Sequence, residues 1–261
     1  MASRYTTMQI ATLIATLIAG GLISLFQAHN TIYIVLIVIS SLLMFSLIVN
    51  HSIPQGRIQP KKNHLFNALP QNKLLGISLF IIVLILGLTN ALIDPILPAI
   101  LRANGLPVGQ TSFWTTFFSL LTVMGSLIFQ QVPLHNSAAK FFLSNELIVG
   151  LLMVLVSWTG HSQIGLLLFS FAIMSIGIAG FFIFKEIMEY DMFPKNESFI
   201  YLGIEQSGFL VGDALGAPLG TTLFQHGGTQ ILLLLFGILS FICGLSYYLL
   251  YKKMQTKIVN S

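Results

Sequence analysis

Asp94 stands in the run TNALIDPILPAI, inside a long apolar stretch, with Pro95 directly after it and Pro98 close behind. A charge near the centre of a bilayer costs at least about 2.5–3.5 kcal/mol on insertion scales, so such a carboxylate usually faces a cavity or a partner. Pro95 lacks an N–H, which removes one helix donor and frees the carbonyl of Ala91. A broken helix with free carbonyls beside a carboxylate suits cation or proton handling. Asn90 lies one turn earlier on the same face. The alternative is that Asp94 sits near the outer interface and only caps a kink, since Arg102 follows about two turns later.

A second set of polar groups falls in one later apolar run. Glu205, Gln206 and Asp213 are all within it. Two acids and an amide in one membrane helix are too costly to face lipid. The same run contains GFLVGDALGAPLG, with Gly208, Gly212, Gly216 and Gly220 at every fourth position and Pro218 among them. Small residues in that register make one smooth stripe along which two backbones can approach closely. Static packing and a surface on which helices slide or rock are both consistent with it. At about 100° per residue, Glu205 lies on the stripe and Asp213 about 100° off it. Glu205 is near the cytoplasmic end, where reaching the interface is the alternative reading. Asp213 is nearer the middle, and Asp94 and Asp213 are expected to form a protonatable pair coupled to substrate movement. The candidate substrate- and proton-binding residues are therefore Asp94, Asn90, Asp213, Glu205 and Gln206. Gly208, Gly212, Gly216, Pro218, Gly220 and Pro95 are the candidates for helix packing and gating.

The remaining charges read as interfacial or loop groups: Glu146, Lys185, Glu186, Glu189, Asp191, Lys195 and Glu197. Trp114, Trp158, Tyr190 and the Tyr247, Tyr248 and Tyr251 cluster fit interfacial aromatic belts. Phe113, Phe117, Phe118, Phe181 and Phe182 are expected to be packing residues rather than a pocket lining. No nucleophile elbow, phosphate loop or His-Glu-x-x-His pattern occurs, so no enzyme activity and no cofactor is expected. The lone Cys243 cannot form an intrachain disulfide, and the six histidines lack metal-ligand spacing.

The elements that must position these groups are membrane helices. Of the 261 residues, 55% are hydrophobic and only 8% charged, against about 25% charged in an ordinary soluble domain. Mean hydropathy is +0.88. Spanning a bilayer takes roughly 20 mostly apolar residues. About eight such runs are present, near 8–26, 31–49, 74–100, 109–132, 143–159, 163–184, 198–224 and 230–251, so an all-α polytopic bundle is expected. None alternates at period two, which argues against an outer-membrane barrel. With Met1 in the cytoplasm, eight spans put every basic residue except Arg102 on the cytoplasmic side. The positive-inside rule then gives a multi-pass cell-membrane protein with both termini cytoplasmic. The net charge of +4 is spread over helix ends in ones and twos, so no nucleic-acid partner is implied.

The segment 50–73, NHSIPQGRIQPKKNHLFNALPQNK, is polar and basic with three prolines. It divides the chain into two helices (1–49), a cytoplasmic linker (50–73), a six-helix bundle (74–251) and a cytoplasmic tail (252–261). An ordinary long loop is the alternative. A faint internal echo relates Leu25-Phe26-Gln27 and Thr31 to Leu223-Phe224-Gln225 and Thr229, each after a stripe of small residues. Helical transporters often carry such repeats.

This layout resembles the major facilitator superfamily of secondary transporters, whose two six-helix halves are joined by a long basic cytoplasmic loop. The six helices after 50–73 resemble the second half, and the two before it the family's fifth and sixth helices. ATLIAGG (15–21) looks like a worn antiporter motif, normally Gly-Pro-x-x-Gly-Gly, with Ala15, Thr16 and Ala19 as departures and Gly20 retained. GDALGAPLG (212–220) resembles the eleventh helix and NALIDPILPAIL (90–101) the seventh. The acidic-basic motif between the eighth and ninth helices is missing: Gly125 and Leu127 are present, but Phe129 and Gln130 stand where Asp and Arg are expected. The resemblance implies rocker-like alternating access, proton-coupled efflux of a small molecule, and an N-terminally truncated chain. Lipid, proton, substrate and either a missing N-terminal half or a second copy are the partners it implies. A non-transporting membrane subunit, such as a scaffold or immunity-type protein, is the alternative.

Overall fold

The computed structural model describes residues 70–131, 137–159, 163–194 and 197–259, with isolated helical positions at 10, 14, 37 and 41. The two helices expected within 1–49, most of the 50–73 linker and the end of the tail lie outside the described residues. The chain divides into a unit of residues 10–68 and a unit of 69–261 with residues 1–9. Most of the described residues fall in the second unit.

That part is all helical. Helix α1 (Lys73–Ala91) is followed by a 3-10 turn (Asp94–Ile96) and by α2 (Leu97–Ala103). Then come α3 (Val108–Gln131), α4 (Ala138–Thr159) and α5 (Ile164–Met192). The last helical stretch, Ser198–Val259, is 62 residues long and is interrupted at Gly228, with φ 67° and ψ −171°. One straight helix of that length would measure about 90 Å, some three times the hydrocarbon core of a bilayer. Gly228 has no Cβ to oppose the positive φ, and the chain turns back there. We label the two arms α6 (198–227) and α7 (229–259). Tyr201 at the start of α6 and Tyr247, Tyr251 and Met254 near the end of α7 share one buried cluster, so the arms are antiparallel.

Five stretches are long and apolar enough to cross a membrane. Divided at Gly228, the last supplies two, in the places expected for the final six runs. The sidedness of α4 shows what surrounds them. Its exposed residues include Phe141, Ile148, Leu151, Leu155 and Trp158, while Glu146, Gly150 and Ser157 are buried with Phe142, Val149, Met153 and Val156. Apolar groups outside and polar groups inside suit a helix with lipid as its solvent.

The helix breaks where Pro95 removes a donor. Helix α1 ends at Ala91, the N–H of Leu92 turns back to the Thr89 carbonyl, and the N–H of Ile96 bonds to the Ile93 carbonyl. Asp94 makes no side-chain capping bond, and Ile93 occupies the cap position.

Two glycine contacts hold the bundle. Helices α1 and α6 run parallel, with Gly208, Gly212, Gly216 and Gly220 meeting the backbone of Phe80, Leu84, Leu88 and Leu92 in turn. A Cβ on Gly212 would collide with the Leu84 carbonyl oxygen, and one on Gly87 with the Phe209 carbonyl oxygen. Helices α4 and α7 run antiparallel, and a Cβ on Gly237 would come 2.6 Å from the Gly150 carbonyl oxygen. Backbones this close gain dispersion and Cα–H···O contacts that lipid cannot replace.

Gly212→Leu is expected to cost about 1–3 kcal/mol through overpacking. Gly203→Leu, on the open face of the same helix with nothing within 4 Å, should be close to neutral. Thermal unfolding in detergent, followed by tryptophan fluorescence, checks the difference.

Candidate functional site

A cavity of about 40 Å³ lies among α1, α4, α5 and α7. Helix α1 contributes Thr89 and Asn90, the 3-10 turn contributes Asp94, α4 contributes Asn145 and Glu146, α5 contributes Gly177 and Phe181, and α7 contributes Ser240. The break after Ala91 puts Asn90 and Asp94 on this wall, and Asp94 is exposed on its other side. The Thr89 hydroxyl donates to the Ile85 carbonyl at 2.8 Å and lies 3.9 Å from the Cys243 sulfur. Phe181, expected to be packing alone, both lines the cavity and packs on Phe142 and Phe209.

Asp213 projects from the α6 face beside the glycine stripe, where its backbone packs near Gly87. That places it about two helical turns before Asp94 along the α1 axis. Among the described residues neither carboxylate makes a hydrogen bond or an ion pair. The cavity wall thus brings Asn90 and Asp94 together, while Asp213 stands on α6 outside that wall. It does not bring Glu205 or Gln206 there. Gln206 is exposed and lines no cavity.

Glu205 is 0% exposed, packed inside the bundle. Its Oε1 pairs with the ammonium of Lys185 from α5. Lys185 Nζ also lies 2.8 Å from Glu189 Oε1, one turn along α5. The Tyr247 hydroxyl of α7 donates to that same Glu189 oxygen at 3.2 Å. Glu205 Oε2 has no partner among the described residues. One cation thus serves two carboxylates in a buried cluster that ties α5, α6 and α7 together.

Five residues expected at interfaces are therefore interior: Glu146, Lys185, Glu189, Tyr247 and Tyr251. The reason is helix length. Helix α5 continues to Met192 rather than ending near residue 184, so Lys185 and Glu189 stay within it. Helix α4 starts at Ala138, which carries Glu146 two turns inside. The Lys185 to Glu189 spacing of four and the Ser240, Gly244, Tyr247 face of α7 were the signals available in the sequence. Trp158 and Tyr190 are exposed, as a membrane-facing belt requires.

A family model described as Major Facilitator Superfamily matches residues 79–260. The chain belongs to the major facilitator superfamily. No curated protein and no solved structure gives a significant match. Members of this superfamily are membrane transporters rather than enzymes, and this one is a multi-pass membrane protein. In this superfamily chain the cavity among α1, α4, α5 and α7 is one acid-bearing region and the Lys185 cluster is another. Among the described residues no group of His, Cys, Asp and Glu side chains forms a metal-binding cluster.

Removing one partner from a buried ion pair leaves an uncompensated charge. Lys185→Met is expected to destabilise the protein by about 3–5 kcal/mol. Adding Glu189→Gln and Glu205→Gln to that variant should restore part of the loss, as read by the thermal midpoint of the purified protein.

Proposed function

We propose that this chain is a secondary active transporter that exports a small molecule in exchange for protons. Asp94 and Asp213 carry the proton. The observation that supports this most directly is that the two acids flank the seam between α1 and the glycine-striped α6, Asp94 just past the break and Asp213 level with Gly87, with no base pairing with either among the described residues. Two like charges in one apolar bundle repel, and a proton taken up by either relieves the repulsion. Loss and gain of that proton changes the electrostatic force across the α1 and α6 contact. That contact is a smooth backbone surface, suited to small rocking displacements.

In this reading the protein lies in the cell membrane with both termini in the cytoplasm, and the basic segment 50–73 is a cytoplasmic linker. Small molecules reach the pair from the exposed side of Asp94. Pro95 sets the break that frees Asp94 from helix geometry, and Gly208, Gly212, Gly216 and Gly220 keep α1 and α6 at contact distance.

The test is proton movement in proteoliposomes loaded with a pH-sensitive dye. An imposed pH gradient should be discharged on addition of a transported compound from a panel of cationic, neutral and anionic organic molecules. Asp94→Asn and Asp213→Asn should each slow that discharge by more than about tenfold, equivalent to about 1.4 kcal/mol of lost stabilisation. Unchanged discharge in both variants, or none in the parent protein across the panel, refutes the proposal.

A further inference from the structure

Glu146 is 7% exposed, and no Lys or Arg among the described residues pairs with it. Each of its oxygens has one neutral donor. The Ser240 hydroxyl of α7 donates to Oε2 at 2.7 Å, and Asn145 Nδ2 donates to Oε1 at 3.0 Å. Asn145 Nδ2 also donates to the Gly177 carbonyl of α5 at 3.0 Å, which fixes the amide. The packing is arranged around this carboxylate. A Cβ on Gly244 would meet the Glu146 Cβ, and one on Gly177 would come 3.1 Å from Asn145 Oδ1. Three helices thus fit together to hold one acid whose charge is balanced by no basic side chain.

The size of the adjoining space limits what can balance it. The cavity holds about 40 Å³. A single water needs roughly 10–15 Å³ by this kind of measure, whereas drug-sized ligands occupy pockets of about 300–1,000 Å³. A few waters or one small ion fit, and an organic substrate does not. The groups around it are hard oxygen ligands: the Glu146 carboxylate, the Ser240 hydroxyl, and the side chains of Asn90 and Asp94, while Asn145 turns its Nδ2 to Glu146 as a donor. Oxygen donors of this kind suit protons and hard cations. The titratable groups facing Glu146 are Asp94 on the α1 wall and Cys243 on α7, while α5 lines the cavity without a charged residue.

We propose that Glu146, held by Ser240 and Asn145, forms a binding site for one small monovalent cation, a proton or a sodium ion, in the cavity that Asp94 also lines. Its use in coupling rests on the transporter reading above, but cation binding itself does not require transport. The purified full-length protein in lipid nanodiscs tests it in two arms. Infrared difference spectra between acidic and alkaline buffer read protonation. Thermal midpoints in sodium against choline chloride read sodium binding. A protonated-carboxyl band lost in E146Q, with no sodium effect, identifies a proton site. A sodium-dependent rise in midpoint, lost in E146Q, identifies a sodium site. S240A, which leaves the carboxylate in place, should weaken the sodium response about tenfold or shift the carboxyl band, as loss of a charged hydrogen bond does. This second variant keeps the test decisive if E146Q does not fold. Spectra and midpoints that are the same in parent and variants in both arms overturn the proposal. Failure of proton discharge in liposomes with cation binding intact would refute the transport reading alone.

Discussion

The interior of this bundle depends on how its buried carboxylates are compensated, because lipid offers them neither water nor counter-ions. Lys185 resolves the matter for two of them, drawing Glu189 and Glu205 together from two helices. The cluster is a structural solution: a cation and two anions buried at 7% exposure or less, with a tyrosine hydroxyl completing one carboxylate. Among the described residues no Lys or Arg pairs with buried Glu146, with half-buried Asp213 or with Asp94, which is exposed. Hydrogen bonds to a carboxylate stabilise its charge locally but do not cancel it. The three acids without a basic partner are thus the places where a mobile cation has the largest electrostatic effect. The acid beside the cation is where it has the least.

Helix packing works under the same constraint. In water the two long seams could be apolar side chains in contact. In lipid, side-chain burial gives no hydrophobic gain, and the seams are instead backbone against backbone. Gly208 to Gly220 on α6 follow Phe80 to Leu92 on α1 at matched four-residue steps, so the register between the parallel helices is fixed by shape. Between α4 and α7 the antiparallel seam has glycine on both sides, at Gly150 and Gly237. Gly244 on the same seam leaves the room that Glu146 occupies. The seam that holds the helices together is also the one that admits the acid.

Much of this was legible in the sequence. Hydropathy located the last six membrane segments, Pro95 marked the break in the first of them, and the four-residue glycine spacing marked the face that α6 presents. These are local signals, written in single residues or in one helix's period. The interior charges were not legible because hydropathy treats a charge as the end of a span. Lys185 and Glu189 were read as lying beyond helix α5, when each supplies the partner that lets the helix continue. Glu146 looked like an end residue because its compensating donors, Ser240 and Asn145, are a neutral hydroxyl and an amide. Ser240 is also 94 positions away. Tyr247 was misread in the same way, since a tyrosine at a membrane interface and one donating to a buried carboxylate have the same local sequence.

The turn from Thr89 to Asp94 is where these strands of the structure meet. Thr89 and Asn90 belong to the last turn of α1 and face the Glu146 cavity. Asp94, released from that helix by Pro95, lines the same cavity about two turns beyond the level of Asp213. The opposite face of α1 is pressed against the glycine stripe as far as Leu92. A six-residue stretch therefore touches two acid-bearing regions and the tightest helix seam at once. Had the helix run on unbroken, Asp94 would have kept its place in the 100° helical rotation and its carbonyl ladder would have been closed. The proline thus does more than bend the chain: it lets one short segment answer to a packing constraint on one side and to charge on the other.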